Sequence, residues 1–323
     1  MSGSGVRYTL VETNTTDYPN DTAASTYNRG FNVPGGPLAN LIFRIQTTVS
    51  TGAILADYSN VISSLRIVIN GNTQFDYRGG YALANNNAPG LFGYFLNSIG
   101  GRAIDNDISD TAKEAYFVIP IGTILPAGVS RIEYTISYAA LAAASSAGTM
   151  QVWMGFNTNM QTTTTVPAPT SYTFSGSSEE QITVRIPQGN LGTVAGLMIS
   201  NDDANDHITG IRVVSQSDFT VPLTMWQVLN SDAFNGVMYA DDDVSTAAQQ
   251  YAMGVAGGLF VPLFGLAADA DVVLQVTDSG SSTTRLFQPV LTKAVGNARI
   301  QEPRQTQALP ANVDKSILRR VED

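Results

Sequence analysis

The sequence predicts an all-β protein built as two similar halves, each a two-layer β sandwich with a short helical excursion. Three observations carry that prediction. Apolar residues recur with a period of two in many short runs, as in Leu65-Arg66-Ile67-Val68-Ile69, the pattern of strands with one face turned to a core. Thr, Ser, Asn, Gly and Ala are abundant and only 14% of the 323 residues are charged, a balance that suits β structure with long polar loops. The pattern of the first half also returns in the second. Leu65 to Val68 lies over Ile211 to Val214 at an offset of 146 residues, and Tyr116 to Val118 over Leu259 to Val261 at 143. Arg131 to Ile136 lies over Asp271 to Val276 at 140, and Met150 to Trp153 over Thr284 to Phe287 at 134. Four segments in one order, with an offset that drifts as loop lengths differ, read as one architecture used twice.

Taken in order, residues 1–36 are rich in Thr, Asn, Asp and Gly, end in Pro34-Gly35-Gly36, and read as an irregular N-terminal arm. Leu41 to Val49 is the first clear strand, and Ile62 to Asn70 follows with Leu65, Ile67 and Ile69 on one face. Asn70-Gly71 supplies the two residue types that tolerate positive φ in a hairpin turn. Between Gly90 and Ile99 the apolar residues Leu91, Phe92, Tyr94, Phe95, Leu96 and Ile99 cluster as on a short helix. Strands resume at Ala115 to Ile121, Arg131 to Tyr138 and Met150 to Phe156, with Ala139 to Gly148 between the last two as a helical turn or a loop tip. Asn157 to Thr170 has no periodicity and two prolines, which makes it the linker. The second half then offers strands at Gln181 to Ile186, Val194 to Ile199, Ile208 to Val214, Thr220 to Val228, Leu259 to Phe264, Val272 to Val276 and Thr284 to Leu291. The resulting divisions are an arm over 1–36, a first unit over 37–157, a linker over 158–170, a second unit over 171–295 and a tail over 296–323, with a short amphipathic helix over Val313 to Val321.

Antiparallel strands joined by long connections indicate a two-sheet sandwich of immunoglobulin or jelly-roll type. No Cys-Trp-Cys pattern supports the former, and helical inserts in long loops favour the latter.

The net charge of −10 argues against a surface that binds nucleic acid throughout. Residues 1–292 carry 11 Lys and Arg against 23 Asp and Glu, whereas residues 293–323 carry 6 against 4, so the tail is the one mildly basic stretch. With no cysteine, disulfides, thiolate metal sites and thiol nucleophiles are excluded. The start of the chain lacks the basic and apolar regions of a secretory signal. Ala252 to Ala268 is uncharged over 17 residues, but Gly257-Gly258, Pro262 and its overlap with a repeated strand make it a helix or loop leading into a buried strand, rather than a membrane span.

Chemistry finds little to stand on. His207, the only histidine, sits in an Asn- and Asp-rich loop sequence and reads as a loop residue. There is no Gly-rich phosphate loop or helical His pair. Among the acidic clusters, Asp105, Asp107 and Asp110 offer the hard oxygen ligands that structural Ca²⁺ takes, although the sixth and twelfth positions of a calcium loop are Asp110 and Tyr116 instead of Gly and Glu. Solvated carboxylates are the plainer explanation. Trp153, within an alternating strand, is expected in the core.

A Gly36-Pro37-Leu38 lead into a first strand, a strand from Leu65 ending in Asn70-Gly71, a following segment with Gly80 and Leu83, and a whole second copy together resemble the double jelly-roll major capsid proteins of tailless icosahedral viruses. In length, the chain is most similar to those of membrane-containing bacteriophages such as the corticovirus and the Flavobacterium-infecting lipid phage groups. The resemblance implies two tandem eight-stranded jelly-roll barrels, a homotrimeric capsomer of nearly sixfold outline, no enzymatic activity and a place in the virion shell after synthesis in the host cytoplasm. Partners would be neighbouring capsomers, penton and minor capsid or membrane proteins. Anionic lipid would be met by Arg299, Arg304, Lys315, Arg319 and Arg320 of the tail, which face the interior in this reading. The lack of a concentrated basic arm departs from capsids that bind nucleic acid directly. A two-domain β-sandwich protein that binds glycans at a surface or fibre is the alternative reading.

Overall fold

The computed structural model describes residues 6–19, 23–49, 58–79, 91–109, 112–139, 145–157, 160, 162–176, 179–187, 192–201, 208–215, 221–222, 258–267, 271–278 and 284–294. In the first half these form β1 (Val6–Asn14), β2 (Ser25–Val49), the single turn α1 (Tyr58–Val61), β3 (Ile62–Ile69), β4 (Asn72–Arg78), α2 (Leu91–Ser98), β5 (Arg102–Ser109), β6 (Ala112–Tyr138) and β7 (Ser145–Asn157). The second half contains β8 (Thr162–Thr165), β9 (Thr170–Thr173), β10 (Glu179–Val184), β11 (Thr193–Asn201), β12 (Ile208–Val213), β13 (Val221–Pro222), β14 (Gly258–Ala267), β15 (Val272–Asp278) and β16 (Thr284–Ala294).

The pairing shows why one pattern appears twice. β2 and β6 are long because each bends from one sheet into the other, β2 at register shifts around Gly36 and Asn40 and β6 at the matching stretch between Pro120 and Val129. Counting each as two strands and setting β5 aside, the described first half has eight strands in chain order. One layer runs first-eighth-third-sixth (β1, β7, late β2, early β6) and the other second-seventh-fourth-fifth (early β2, late β6, β3, β4). The second half repeats both orders with separate strands, as β8-β16-β11-β14 and β10-β15-β12-β13. That is the jelly-roll order, twice. β5 is an addition that extends the first layer beyond β6.

Alternation places the cores. In β6, Ala115, Phe117, Ile119 and Ile121 are fully buried and the residues between them are half-buried; in β15, Val272, Leu274 and Val276 do the same. Asn70 and Gly71 take φ of 50° and 82°, so the β3–β4 hairpin closes with both central residues at positive φ, as expected of Asn-Gly. The helix expected at 90–99 is α2. It is apolar on nearly all sides because it is enclosed: Tyr77 stacks on Phe95 with ring centroids 5.0 Å apart, and Phe92 meets Phe117 at 5.4 Å. Replacing Phe95 by Ala would cost about 3–5 kcal/mol.

Three expectations need correction. The N-terminal segment is not an irregular arm: β1 and the start of β2 are the first two strands of the first sandwich. The outward residues of early β2 are polar or Gly, and β1 is an edge strand whose large apolar residues Tyr8 and Leu10 face away from the core, so neither carries the pattern that marks an inner strand. The stretch assigned as linker contains β8, the first strand of the second sandwich, whose four threonines pair with Leu291 to Ala294. The repeat identifies the right strands throughout but slips by one residue in two of them. At an offset of 143, inward Phe117 lies over Phe260, which packs on the opposite face of its sheet from Val261; at 134, inward Val152 lies over Leu286, between the inward Arg285 and Phe287. A slip of one exchanges the two faces of a strand, and short apolar runs do not forbid it.

Candidate functional site

The two first-type layers, equivalent in topology, differ in what covers them. In the second half, β11, β14 and β16 are buried on both faces. Leu197, Ile199, Val261 and Phe287 face the second core, while Met198, Phe260 and Val290 turn the other way and join the core of the first half. In β14 the consecutive residues Phe260 and Val261 are both buried, one towards each core, which fits a sequence there without charge.

The covering elements are α2, β4 and the segment after β8. The Phe260 N–H donates to the Tyr94 hydroxyl at 3.0 Å, and burial pushes the Tyr94 phenol up to about 12. Val166 bridges to Phe75, with Asp76 N–H donating to the Val166 carbonyl at 2.7 Å and Val166 N–H to the Gln74 carbonyl at 3.0 Å. Gln288, almost wholly buried on the outer face of β16, donates to the Pro167 carbonyl and accepts from Arg78 N–H. At the other end of the seam, the Thr163 hydroxyl donates to the Gly122 carbonyl at 2.6 Å.

In the first half the same layer keeps strict alternation, and no element of the described chain lies on its outer face. Cross-strand register arranges that face in rows. One row runs Leu10, Trp153, Ile42, Val118 and Arg102; the next runs Thr13, Gln151, Arg44, Tyr116 and Ile104. Tyr8, Leu10 and Ile104 are 54%, 41% and 53% exposed, a concentration of large apolar side chains on one sheet. Trp153 is therefore an outward residue, half-buried among its neighbours, and not part of the core as its strand pattern suggested. Its indole N–H donates to Gln151 Oε1 at 3.3 Å.

A rigid polar clasp sits in the middle of this face. Glu114 Oε1 accepts from Arg44 Nε at 2.6 Å, Gln46 Nε2 at 3.0 Å and the Tyr116 hydroxyl at 2.9 Å, while Arg44 Nη1 donates to Gln151 at 3.0 Å. The guanidinium also lies 5.7 Å from the Tyr116 ring centre. With their charges satisfied within the chain, these side chains present a nearly neutral surface that can be covered without stranding a charge.

The residues singled out for chemistry are not brought together. Asp105 and Asp107 are strand residues of β5, in register with Ala115 and Lys113, rather than members of a loop; Asp110 lies outside the described residues. Among the described residues, no group of three or more acidic or His side chains is placed to hold a metal. His207 and the tail residues Arg299, Arg304, Lys315, Arg319 and Arg320 lie outside the described residues. Among those described, no helix is long and apolar enough to cross a membrane.

Sequence reasoning missed the buried Arg285–Asp278 ion pair, which joins the two layers of the second sandwich. It also missed the Asp17–Arg29 pair that pins the turn after β1, with contacts of 2.6 and 2.8 Å. Hydrogen bonding to Asp17 holds Arg29 above its ordinary value. Arg285 sits at an inward position of an otherwise apolar strand, and that was the available signal.

No protein-family profile and no curated protein matches this chain. Solved structures do. The crystal structure of the STIV MCP superposes with a TM-score of 0.58 at 10% identity, covering 89% of this chain and 96% of that one. A chain in the atomic structure of Sulfolobus Turreted Icosahedral Virus gives 0.55 at 8% identity, over 89% and 90%. The major capsid protein P2 of bacteriophage PM2 gives 0.47 at 10% identity, over 91% and 99%. The first two likenesses and the doubled strand order agree: this chain has the double jelly-roll fold found in viral major capsid proteins.

Proposed function

We propose that this chain is a structural major capsid protein, three copies of which form a capsomer of nearly sixfold outline in an icosahedral virion shell. The observation that carries the reading is the unequal cover of two equivalent sheets. The second half buries the outer face of its β8-β16-β11-β14 layer against the first half of the same chain, whereas no element among the described residues covers the corresponding face of the first half. A contact between two different faces is heterologous, and repetition between chains either closes a ring or grows a filament. Setting the first half of each chain against the second half of the next closes the series after three chains if each half turns by about a sixth of a circle.

The open face has the size for this. Five strands about 4.8 Å apart, with same-face residues about 6.7 Å apart over four rows, give a patch of roughly 600 Å² before side-chain relief. Stable interfaces use about 800 Å² per partner. The likeness to the STIV MCP supports the virion role. In that role the chain works by packing, and its lateral partners are neighbouring capsomers, with penton and minor proteins filling the remaining positions. The shell encloses a membrane, and the basic tail with Arg299, Arg304, Lys315, Arg319 and Arg320 meets anionic lipid on its inner side; deletion of residues 299–323 should abolish flotation with anionic vesicles and leave the β fold intact.

Light scattering after size exclusion tests the reading. A species of three times 34.3 kDa is expected. A monomer at all concentrations that binds glycans saturably would replace the capsid reading with that of a two-domain surface-binding protein.

A further inference from the structure

We infer that the tail of this chain returns to the first sandwich and seats Val313, Ile317, Leu318 and Val321 on an apolar corner made by Ile124, Pro126, Ala127 and Val129. The corner lies where β6 changes sheets. Pro34 of β2 pairs with Val129 and Gly36 with Leu125, so residues 126–128 stand out opposite the single residue Gly35. The bulge is held from within. Leu125 is buried, and Gly35 comes so near the Pro126 carbonyl that a Cβ there would stand 2.1 Å from its oxygen. Alternation about Leu125 and the buried Ser130 turns their neighbours outward: Ile124 is 52% exposed and Val129 76%, with Pro126 and Ala127 exposed between them. Neither Pro120 to Ser130 nor Val33 to Asn40 across from it contains a charged residue. The fold does not require this, since the equivalent turn between β14 and β15 contains Ala268-Asp269-Ala270-Asp271. An uncharged, outward apolar corner of this kind marks a contact surface.

Where the chain goes next selects the occupant. β16 ends at Ala294, whose partner across the ladder is Thr162. The Thr162–Thr163 backbone lies against Gly122: the Thr163 hydroxyl donates to the Gly122 carbonyl, and a Cβ on Gly122 would stand 2.1 Å from the Thr162 carbonyl oxygen. Ile124 is two residues further along. With strands about 4.8 Å apart and a rise of about 3.3 Å per residue, the corner is about 15 Å from the point where residues 295–323 begin. The tail carries a matching pattern. Asn312 is of the N-cap type, Asp314 follows in the first turn and Arg319 and Arg320 stand in the last, while Val313, Ile317 and Val321 recur at spacings of four with Leu318 beside them. A helix this short is not stable alone in water and needs a surface to lie on. Residues 295–312 reach up to about 60 Å when extended, and the tether holds the stripe near the corner at a millimolar effective concentration. Lys315 and Arg319 fall on the opposite side of such a helix and remain in water.

The contact lies within one chain and does not depend on the capsid reading. Initial rates of tryptic cleavage test it on the full chain. Ile124→Asp combined with Val129→Asp changes only exposed side chains, and a retained cooperative unfolding transition checks that the β fold holds. Cleavage after Lys315 and Arg319 is expected to be about tenfold slower in the wild type than in this variant, whereas cleavage after Arg299, in the connecting residues, is equal in both. Because the chain has no cysteine, Val129→Cys with Ile317→Cys gives a second reading. A short bis-maleimide should join that pair within one chain. Equal cleavage after Lys315 in the wild type and the Asp variant overturns the inference. A cross-link formed only between two chains also overturns it and assigns the corner to a neighbouring copy. Protection that appears only with anionic vesicles overturns it in favour of lipid.

Discussion

Replacing Ile42 by Lys places a charge at the centre of the open face without entering the core. Ile42 is outward on β2, in register with Trp153 on one side and Val118 on the other, and the fully buried Leu41 and Phe43 point away from it. In the isolated chain the long stem can lie along the sheet with its ammonium in water, so the change in unfolding free energy should stay within about 1 kcal/mol. In a ring the ammonium would be covered by a neighbour. The row it joins, Leu10, Trp153, Val118 and Arg102, offers no carboxylate, and Glu114 is taken by Arg44, Gln46 and Tyr116. An unpaired buried charge costs about 3 kcal/mol or more, and the ring contains the substitution at each of its contacts. Each contact therefore weakens by more than a hundredfold, at about 1.4 kcal/mol per factor of ten. Sedimentation or light scattering across a concentration series should show Ile42→Lys as a monomer where the parent is a trimer, with a cooperative unfolding transition retained and a melting temperature lowered only by the loss of association. A Lys variant that still forms the parent's trimer refutes the assignment of this face.

Other consequences can be measured on the isolated chain. Glu12 is raised by burial, so the folded state holds its proton more firmly than the unfolded one, and the cost of its ionisation fades as pH falls through the folded value. Glu12→Gln should thus raise the melting temperature at pH 7.5 and lose that advantage in mildly acidic buffer; an advantage independent of pH contradicts the assignment. Asp278→Ala leaves Arg285 buried beside a missing partner and should cost about 3–5 kcal/mol in denaturant unfolding, while the double change Asp278→Leu with Arg285→Met should recover most of it. Equal loss in single and double variants would show that the pair is not the unit. Gly122 has φ of +65°, and a Cβ there would stand 2.1 Å from the Thr162 carbonyl oxygen, so Gly122→Ala should destabilise the chain by about 2 kcal/mol or more, read as a lower denaturant midpoint.

What was legible in the sequence follows from what each residue meets. Inner strands such as Leu65 to Ile69 and Val272 to Val276 alternate because one face meets a core, and Asn70-Gly71 encodes its turn locally, so these were readable. The edge strands β1 and β8 were not: β8 is four threonines, and the large apolar residues of β1, Tyr8 and Leu10, lie on its outward face, so neither shows a core-facing alternation until its partner is known. Two proline- or glycine-bearing stretches, around Pro34 and around Gly122, looked like breaks but are bends at which single strands change sheets. Trp153 shows the limit most clearly. Its strand was evident from alternation, but alternation identifies two faces without saying which is inward, and here Val152 and Met154 take the core. The open face shares that ambiguity: it becomes visible only when Met198, Phe260 and Val290 show that the equivalent sheet is covered.

The central claim, that the open face of the first half is covered by the second half of a neighbouring chain, is tested most directly by electron cryo-microscopy of the purified assembled species. The account predicts six similar lobes around a threefold axis, with Tyr8, Leu10, Ile42, Val118 and Trp153 buried against the next chain. A particle in which these side chains face solvent, or in which two first halves meet each other, would contradict it.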